Sequence, residues 1–298
     1  MPMNDADVLY TSDLHGSRSH YEAAFRMAAD LGVRAVVLGG DLAPMGDPAA
    51  QREFFQTFLI PLLRERLAAP GAPPVFYIFG NGDWRANEAA LEEARLPGLQ
   101  YVHGRAAPFL DGTWIAGQNC VPPTPIRLKD WERWEVVPGA SGRPDGHRSA
   151  PDGTLHDFTF LGREREETLE AEMDRLETAV RGATGAAEAA AIASRSLICV
   201  FHGPPHGTAL DQIAGGAHVG SGAARRFLER MRPALSLHGH IHESPSVSGR
   251  FADRVGATVC VNPGQTPAAF HAVSFRMADI AGTLRHTLHG HANLAEPR

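Results

Sequence analysis

The sequence predicts an α/β fold with a largely parallel β-sheet into which antiparallel strands are mixed. Short apolar runs typical of buried strands alternate with helical patterns along the first part of the chain. Asp111-Gly112 and a turn within 270–287 each separate two extended stretches, which indicates antiparallel pairs. The chain has 298 residues, 43% hydrophobic and 21% charged, so it can bury a sizeable core. These observations exclude an intrinsically disordered chain and allow one large domain or two modest ones.

In the first half, three apolar runs are typical of buried strands, namely Asp7–Ser12, Ala35–Leu38 and Val75–Phe79. Between the first two, Ser19 and Glu22 form a capping box that starts a helix, and Gly32 ends it. After the second run, Asp47 caps a helix that we expect to be kinked at Pro61. Strands that alternate with helices predict right-handed crossovers and parallel pairing in this half.

The second half repeats this pattern after an irregular stretch. Leu197–Phe201 and Leu235–Leu237 predict further strands, separated by a helix from about Ser221 to Met231. Glu164–Arg181 has apolar residues on one face and predicts a charged amphipathic helix. Pro138–Gly153 is rich in Pro, Gly, Ser and Arg and lacks periodicity, so we expect a mobile surface insertion there rather than a domain linker.

Charge and cysteine content narrow the classes of partner. The 28 Lys and Arg against 34 Asp and Glu give a formal net charge of -6, which argues against stable nucleic-acid binding and against an anionic membrane surface. No apolar run approaches the roughly 18 residues of a membrane span, and Met1–Asp7 has no secretory pattern. The three cysteines are far apart and have no C-x-x-C spacing, so a reducing cytoplasm fits best.

Five short polar signatures each follow a predicted strand. They are Asp13-Leu14-His15-Gly16, Gly40-Asp41, Gly80-Asn81-Gly82-Asp83, His202-Gly203-Pro204-Pro205 and Gly239-His240-Ile241-His242. Loops that leave the carboxyl ends of parallel strands lie along one edge of the sheet, where ligands bind. Residues two apart on an extended segment point the same way, so each Asp-x-His or His-x-His pair can hold one ion. The signatures are weak singly, but their order and combination indicate a metal site.

From Asp13 to His242 the chain contains, in order, the motifs D-x-H, G-D, G-N-x-D, H and G-H-x-H. In this it resembles the calcineurin-like metallophosphoesterases, in a prokaryotic branch of that superfamily. The resemblance implies one metallophosphoesterase domain over residues 1–298. It also implies a four-layer αββα sandwich of two mixed β-sheets flanked by helices, in which loops from the sheets hold two metal ions.

Seven residues match the metal-ligand positions of that family: Asp13, His15 and His242 for one ion, Asn81, His202 and His240 for the other, and Asp41 bridging both. Imidazole, carboxylate and amide ligands suit Mn²⁺, Fe, Co²⁺, Ni²⁺ or Zn²⁺, and we favour manganese. Two such ions about 3.5 to 4 Å apart can activate a bridging hydroxide for in-line attack on a phosphoester. We expect Asp41 and Asn81 to take part in catalysis as well as in metal binding. The alternative, unrelated core or surface histidines, requires His202, His240 and His242 to share one edge by coincidence.

The sequence departs from the family pattern at Gly82. Much of the superfamily has a His at this position, which contacts the phosphate and can protonate the leaving group. A positioned general acid contributes about 10² to 10⁴-fold, so its loss should matter most for poor leaving groups. His206 is our first candidate for a replacement, ahead of His218 and a metal-bound water. Asp83, which orients that His where it exists, is interpreted as a structural loop residue.

Trp84 and Arg85, which follow the Asn81 position, are candidates for substrate binding. Arg85 could donate to the phosphate, and Trp84 could stack on a base or an aromatic leaving group. Packing is the alternative role of Trp84. Of the remaining histidines, His238 is interpreted as structural, and His286, His289 and His291 as a surface tail without carboxylate companions.

The leading hypothesis is therefore a cytoplasmic, dinuclear metal-dependent hydrolase of a phosphodiester or an activated phosphomonoester. A small phosphoester such as a nucleotide fits better than DNA, because the chain lacks a basic arm. The second hypothesis is an interaction scaffold in which catalysis has decayed, as in the retromer scaffold subunit of this superfamily. Gly82 motivates that alternative, and the complete ligand set argues against it. No pattern in the sequence indicates an oligomeric state.

Overall fold

The computed structural model describes residues 6–135, 142–184, 196–292 and 294, and its strands form two large sheets and one separate hairpin. The strands are β1 (Val8–Thr11), β2 (Ala35–Gly39), β3 (Val75–Ile78), β4 (Leu99–Tyr101), β5 (Ala106–Pro108), β6 (Trp114–Gln118), β7 (Asp145–Ser149), β8 (Leu155–Thr159), β9 (Leu197–Phe201), β10 (Leu235–Leu237), β11 (Ala252–Val255), β12 (Thr258–Val261), β13 (Val273–Phe275), β14 (Arg285–His286) and β15 (Gly290–His291). The helices are α1 (Arg18–Leu31), α2 (Pro48–Phe54), α3 (Ile60–Leu67), α4 (Glu88–Glu93), α5 (Leu169–Thr184), α6 (Gly222–Met231), α7 (Ser244–Ser248) and α8 (Ile280–Thr283).

Both large sheets combine a parallel centre with antiparallel edges. The first has the order β15-β14-β13-β1-β2-β3-β4, and the second has the order β11-β12-β10-β9-β6-β5. In the first sheet β1 to β4 are parallel, and β13 runs antiparallel to β1. In the second sheet β6, β9, β10 and β12 are parallel, whereas β5 and β11 are antiparallel. The expected antiparallel pairs around Asp111-Gly112 and within 270–287 are therefore present.

The two sheets pack face to face and are covered by helices on their outer faces. Val8 and Tyr10 of β1 belong to the apolar core shared by both sheets, whereas Leu9 between them faces the helix side. Helix α1 contacts β1 on one outer face, while α5 packs on β5 and β6 and against α6 on the other. This arrangement confirms the predicted mixed sheets with flanking helices.

Local sequence signals place the helices of the first half with small differences. Helix α1 begins after Ser17, whose side chain accepts the His20 N–H, rather than at the expected Ser19. Asp47 caps α2 as predicted. A single π-helical turn, Phe55–Leu59, lies between α2 and α3, directly before Pro61. The kink expected at Pro61 stays a prediction, but the π-turn before this residue is one way to accommodate a misfit inside a helix.

The prediction of an irregular surface loop over Pro138–Gly153 is wrong where the structure describes it. Residues 138–141 lie outside the described residues, but Asp145–Ser149 is strand β7 and pairs with β8. Ser149 donates to Asp130 through both its backbone N–H, at 2.9 Å, and its hydroxyl, at 2.5 Å. The hairpin is thus tied to the main body by polar contacts, which the apolar periodicity of a sequence does not reveal.

The C-terminal histidines do not all lie in a surface tail. His286 in β14 is buried, and its Nε2 donates to the carbonyl of Pro263 at 2.9 Å. His289 and His291 are exposed as expected. None of the helices in the described residues has the length and apolar character that a membrane crossing requires.

Candidate metal centre and its cavity

All of the predicted metal ligands lie in loops that leave the carboxyl ends of parallel strands. Asp13 and His15 follow β1, Asp41 follows β2, and Asn81 follows β3. His202 follows β9, and His240 and His242 follow β10, so ligands from both sheets meet at one edge of the sandwich. The convergence that the sequence predicted is present.

The backbone at this edge is unusual. Asp13, His15, Asp41 and His240 all have positive φ, between 43° and 67°, and they are four of the seven non-glycine residues of the described chain with this conformation. A left-handed non-glycine residue costs about 1 kcal/mol or more, and such strain gathers at functional sites. A Cβ on Gly239 would collide with Ser12 and Asp13, so the His-x-His loop can approach β1 only with glycine at this position.

Four side chains form the first group of candidate ligands. Ligand atoms of Asp13, His15, Asp41 and His242 all lie within 4.8 Å of one another. His15 Nε2 lies 3.1 Å from His242 Nε2 and 3.4 Å from Asp41 Oδ2, and His242 Nε2 lies 3.3 Å from Asp13 Oδ1. Two carboxylates and two imidazoles therefore point at one small volume.

The second group lies on the other side of Asp41. His202 Nε2 lies 3.2 Å from Asn81 Oδ1 and 3.4 Å from Asp41 Oδ1. The His240 ring is 5.3 Å from the His202 ring, measured between centroids, and lines a cavity that the first group also lines. Asp41 thus presents Oδ2 to the first group and Oδ1 to the second, as a bridging carboxylate would.

The donor chemistry of the second group fits a cation. His202 Nδ1 lies 2.9 Å from the Gly39 carbonyl, which can only accept, so Nδ1 carries a proton. In the neutral imidazole, Nε2 is then a lone pair that faces two further acceptor oxygens, from Asn81 and Asp41. A positive charge between these three acceptors, carried by a metal ion or by a proton on Nε2, satisfies them, and this orientation by a backbone carbonyl is how metal-binding histidines are commonly held.

The pKa values show the same negative field. Burial acts to lower the pKa of His202 and His242, but the nearby carboxylates outweigh it and raise each to about 9. Burial acts to raise the pKa of Asp41, and His202 and His15 nevertheless hold it well below its usual range. Burial and the neighbouring His202 lower the pKa of His240 to about 3, so this imidazole is neutral and available as a ligand.

With this geometry established, residues 6–244 match the family model described as calcineurin-like phosphoesterase. The chain belongs to the calcineurin-like phosphoesterase family. No curated protein matches it. It is similar to the crystal structure of TT1561 from Thermus thermophilus, with a TM-score of 0.56 and 18% identity over 94% of this chain and 96% of that one. It is also similar to a dimetal phosphatase from Danio rerio, LOC 393393, with a TM-score of 0.51 and 12% identity over 91% of this chain and 94% of that one. At these identities both likenesses show the fold.

The departure of this calcineurin-like phosphoesterase at Gly82 lies directly against the Asp41 carboxylate. The Gly82 N–H donates to Asp41 Oδ1 at 2.7 Å. A Cβ at Gly82 would lie 3.0 Å from the same oxygen, while the Gly82 backbone φ is not positive. Close approach, rather than backbone conformation, is therefore what favours glycine here.

Asp83 has the geometry of a structural loop residue. Its carboxylate accepts the backbone N–H groups of Leu42, Ala43 and Gly80 at 2.9 to 3.0 Å. Burial and the nearby Asp41 raise the pKa of Asp83 to about 7 despite these bonds. The side chain joins the loop after β2 to the loop after β3, and thereby positions Asp41 relative to Asn81.

A cavity of about 530 Å³ opens over the metal ligands. Besides six of the seven ligands, it is lined by residues that the sequence did not single out for chemistry: Leu14, Ser17, His20, Met45, Ile126, Gln265, Thr266 and Pro267. His20 lies on the first turn of α1, only five positions after His15, and that proximity to a ligand was the available signal. Met45, Ile126 and Pro267 carry no motif, so sequence reasoning could not find them.

His206, the predicted proton donor, lies beside a different carboxylate. Its Nδ1 is 3.6 Å from Asp211 Oδ2, and His218 Nδ1 is 2.7 Å from Asp211 Oδ1. Asp211 is buried and also accepts the backbone N–H groups of Gly207 and Gly220. Among the described residues, neither histidine lines the cavity over the ligands.

Trp84 and Arg85 are also placed outside the cavity lining formed by the described residues. The Trp84 indole is buried and donates through Nε1 to the Gly46 carbonyl at 2.7 Å. Arg85 is exposed, pairs with Glu88 at 3.4 Å and lies over the ring of Trp131. These positions give Trp84 a packing role and direct Arg85 away from the ligands.

Proposed function

We propose that this calcineurin-like phosphoesterase is a dinuclear metal-dependent hydrolase of a small phosphodiester or of a phosphomonoester with a good leaving group. The observation that carries the proposal is the pair of ligand groups on either side of Asp41. Oδ2 of Asp41 faces His15 at 3.4 Å, and Oδ1 faces His202 at 3.4 Å. A single structural ion would need only one of these groups.

The side chains divide into two proposed ion sites. Asp13, His15 and His242 hold one ion, Asn81, His202 and His240 hold the other, and Asp41 binds both. Two divalent ions bound there supply a water of lowered pKa and positive charge for the phosphoryl oxygens. The mixed oxygen and imidazole donors suit manganese or another first-row transition metal. The three buried free cysteines fit the reducing cytoplasm expected from their spacing.

The remaining chemical task is to protonate the leaving group, because Gly82 offers no side chain. His20 lines the cavity, and neither of its ring nitrogens has a hydrogen bond to a described residue. Even a neutral imidazole keeps one N–H, so His20 can donate to a departing oxygen. We propose His20 for this role beside the sequence-based candidate His206. Arg85 and Trp84 would have to move to contact a substrate, and the mechanism assigns them no step.

Metal analysis and substrate hydrolysis test the proposal together. Protein purified without chelator and supplied with Mn²⁺ is expected to hold two ions per chain and to cleave nitrophenyl phosphoesters. Chelation should abolish turnover, and returning Mn²⁺ should restore it. One ion or none after supply with Mn²⁺, or two ions without hydrolysis of any ester, would contradict the proposal.

The scaffold alternative rests on Gly82 alone. A scaffold gains nothing from four ligand residues with left-handed backbone, since each lowers stability by about 1 kcal/mol or more. The two functions differ in one measurable respect. A scaffold would retain its fold and its partner after chelation without any hydrolysis to lose.

A further inference from the structure

Resting on the proposed function, we infer that the substrate carries one phosphoryl group and an uncharged, apolar organic group. The organic group lies against a wall formed by Met45, Ile126 and Pro267, which we call the apolar wall. Nucleoside diphosphates, polyphosphates and sugar phosphates are disfavoured by the same surface. The inference comes from the cavity lining and from the exposure of its side chains.

The lining formed by the described residues contains no Lys or Arg. Besides the candidate ligands it consists of apolar and neutral polar side chains and of His20, whose pKa is lowered by burial, so that it offers an N–H but no full positive charge. A second phosphate would therefore have no positive partner outside the metal ions, although a desolvated charge needs one. We therefore expect the proposed metal ions to neutralise a single phosphoryl group.

The apolar wall is exposed to a degree that folding does not explain. Met45 is 57% exposed and Ile126 is 37% exposed, and both are among the few large apolar side chains left exposed in the described chain. Both line this one cavity. Exposed apolar surface beside convergent polar groups is typical of a small-molecule site, and a methionine adapts to the shape of what it contacts.

The wall is held by contacts that do not involve the ligands. Trp84 Nε1 donates to the Gly46 carbonyl, which anchors the loop of Met45. The backbone N–H of Ile126 donates to Thr124 Oγ1 at 3.1 Å, and Thr124 donates in turn to the buried Glu132. The wall is therefore preformed, and the cavity of about 530 Å³ is the size of sites for small organic ligands.

One feature points to a competing substrate. Arg127 follows Ile126 directly and is exposed, although it does not line the cavity. An organic group with a carboxylate could reach it by extending past the apolar wall. The experiment therefore compares apolar, anionic and cationic groups of similar length.

The test uses diesters that share p-nitrophenolate as the leaving group and differ in the second group: methyl, butyl, phenyl, 2-carboxyethyl or choline. Because the leaving group is constant, differences in kcat/KM report on contacts of the second group. Each fully buried methylene strengthens binding about fourfold, and a half-buried one about twofold. We expect butyl and phenyl to exceed methyl by about tenfold, with both charged groups at or below methyl.

Substitutions then locate the preference. Met45→Gln and Ile126→Gln should each reduce the butyl-to-methyl ratio about threefold or more, because each replaces apolar wall by an amide of similar length. Leu161→Gln is the matched control, since Leu161 is 63% exposed and lies outside the cavity lining. It should leave the ratio and the rates unchanged. A flat series, or a preference for the carboxyethyl ester, overturns the inference.

A binding measurement separates this inference from the proposed function. Phenylphosphonate and methylphosphonate cannot release an alcohol, and their affinities for the manganese-loaded protein can be compared by calorimetry. We expect phenylphosphonate to bind about tenfold more tightly, and Met45→Gln to remove most of that difference. If neither the diesters nor p-nitrophenyl phosphate is hydrolysed but this difference is found, the proposed function fails and the apolar wall stands. Equal affinities overturn the apolar wall, whether or not the diesters are cleaved.

Discussion

Two pairs of histidines in this phosphoesterase, buried or partly buried, have opposite surroundings. His202 and His242 face carboxylates, which raise their pKa to about 9 against the effect of burial. His271 and His286 face the Pro263 carbonyl, and burial lowers the pKa of both, to about 4 for His286. His202 and His242 lie in a negative field that favours a cation, whereas His271 and His286 are held as neutral imidazole.

The difference comes from which atoms face each ring. His286 Nε2 donates to the Pro263 carbonyl, and its Nδ1 accepts the backbone N–H groups of Leu288 and His289. Both nitrogens are therefore used, and one tautomer is specified. Around His202 and His242 the partners are acceptors, so a positive charge is needed to hold them together. By this distinction each of these histidines is either a candidate metal ligand or a core residue.

The largest effect is expected when the carboxylate that lies between the two candidate ligand groups is neutralised. Asp41→Asn removes the negative charge between the two ligand groups and should reduce metal content and turnover, the latter by at least about 10²-fold. Elemental analysis and hydrolysis of a nitrophenyl ester measure both. The matched control is Asp211→Asn, a buried carboxylate outside the cavity lining, which should lower the melting temperature while the metal content remains. Retention of two ions and full turnover by Asp41→Asn would remove the basis of the comparison.

The next effect concerns His20 and His206, which belong to neither group. If His20 donates to the leaving group, His20→Ala should slow alkyl esters about 10²-fold and nitrophenyl esters much less, because only a poor leaving group needs the donor. The dependence of rate on leaving-group pKa measures this and should steepen in the variant. His206→Ala is the paired experiment. A steeper dependence in His206→Ala alone would establish the sequence-based candidate and exclude His20.

A smaller effect, on stability in acid, is expected for the histidines that are held as neutral imidazole. The pKa of His286 is about 4 in the folded protein against an ordinary value of 6.5, so the unfolded chain takes up a proton first as the pH falls. The contribution of His286 to the stability of the fold is thus fully present above about pH 6.5, and it is lost as the pH falls from there to about 4. Between about pH 7.5 and pH 5 we expect His286 to account for about 1 to 2 kcal/mol.

Urea unfolding of wild type and His286→Gln at both pH values isolates that contribution. Glutamine keeps an N–H for the Pro263 carbonyl but does not titrate, and the metal ligands contribute equally to both proteins. The loss of stability in acid should be smaller in the variant. Identical losses would show that His286 is not held neutral.

The smallest effect is expected at Gly82. A Cβ there must lie about 3.0 Å from Asp41 Oδ1, so Gly82→Ala should displace the carboxylate slightly and weaken Mn²⁺ affinity about tenfold. Gly182→Ala, where a Cβ meets open space, is the control and should leave the affinity unchanged. Gly82→His has the same steric cost, so any gain on poor leaving groups should appear only at saturating metal. Unchanged affinity in Gly82→Ala would mean that Asp41 has room to move.

The strands and the ligand loops could be predicted because each signal is local. An apolar run followed at once by Asp-x-His or Gly-His-x-His predicts both the strand and the loop at its end, and Asp13 and His240 lie where those signals placed them. The neighbours that surround a side chain in the fold cannot be predicted from the local sequence. His286 carries no motif, and its partner Pro263 lies more than twenty residues away in the sequence.

The hairpin of β7 and β8 could not be predicted for a different reason. Its strands have few buried apolar residues and are held by ion pairs and hydrogen bonds, such as Arg148 with Glu167 and Ser149 with Asp130. Polar partners of this kind leave no alternation of apolar and polar residues. His20 was predicted only as a helical residue, because its position at the cavity depends on how α1 packs beside the ligand loops.

The position of β1 in the first sheet bears on the order in which the protein folds. Val8 pairs with Ala35 on one side and with Phe275 on the other, so the centre of this sheet closes only when residues far apart in the sequence meet. Contacts this distant slow folding, because loop closure precedes their gain. On the ribosome, a chain that has emerged only as far as β4 carries Asp13, His15, Asp41 and Asn81 without any of the later histidines. The candidate ligand set is therefore complete only after the loop of His240 and His242 has emerged and has joined the earlier residues.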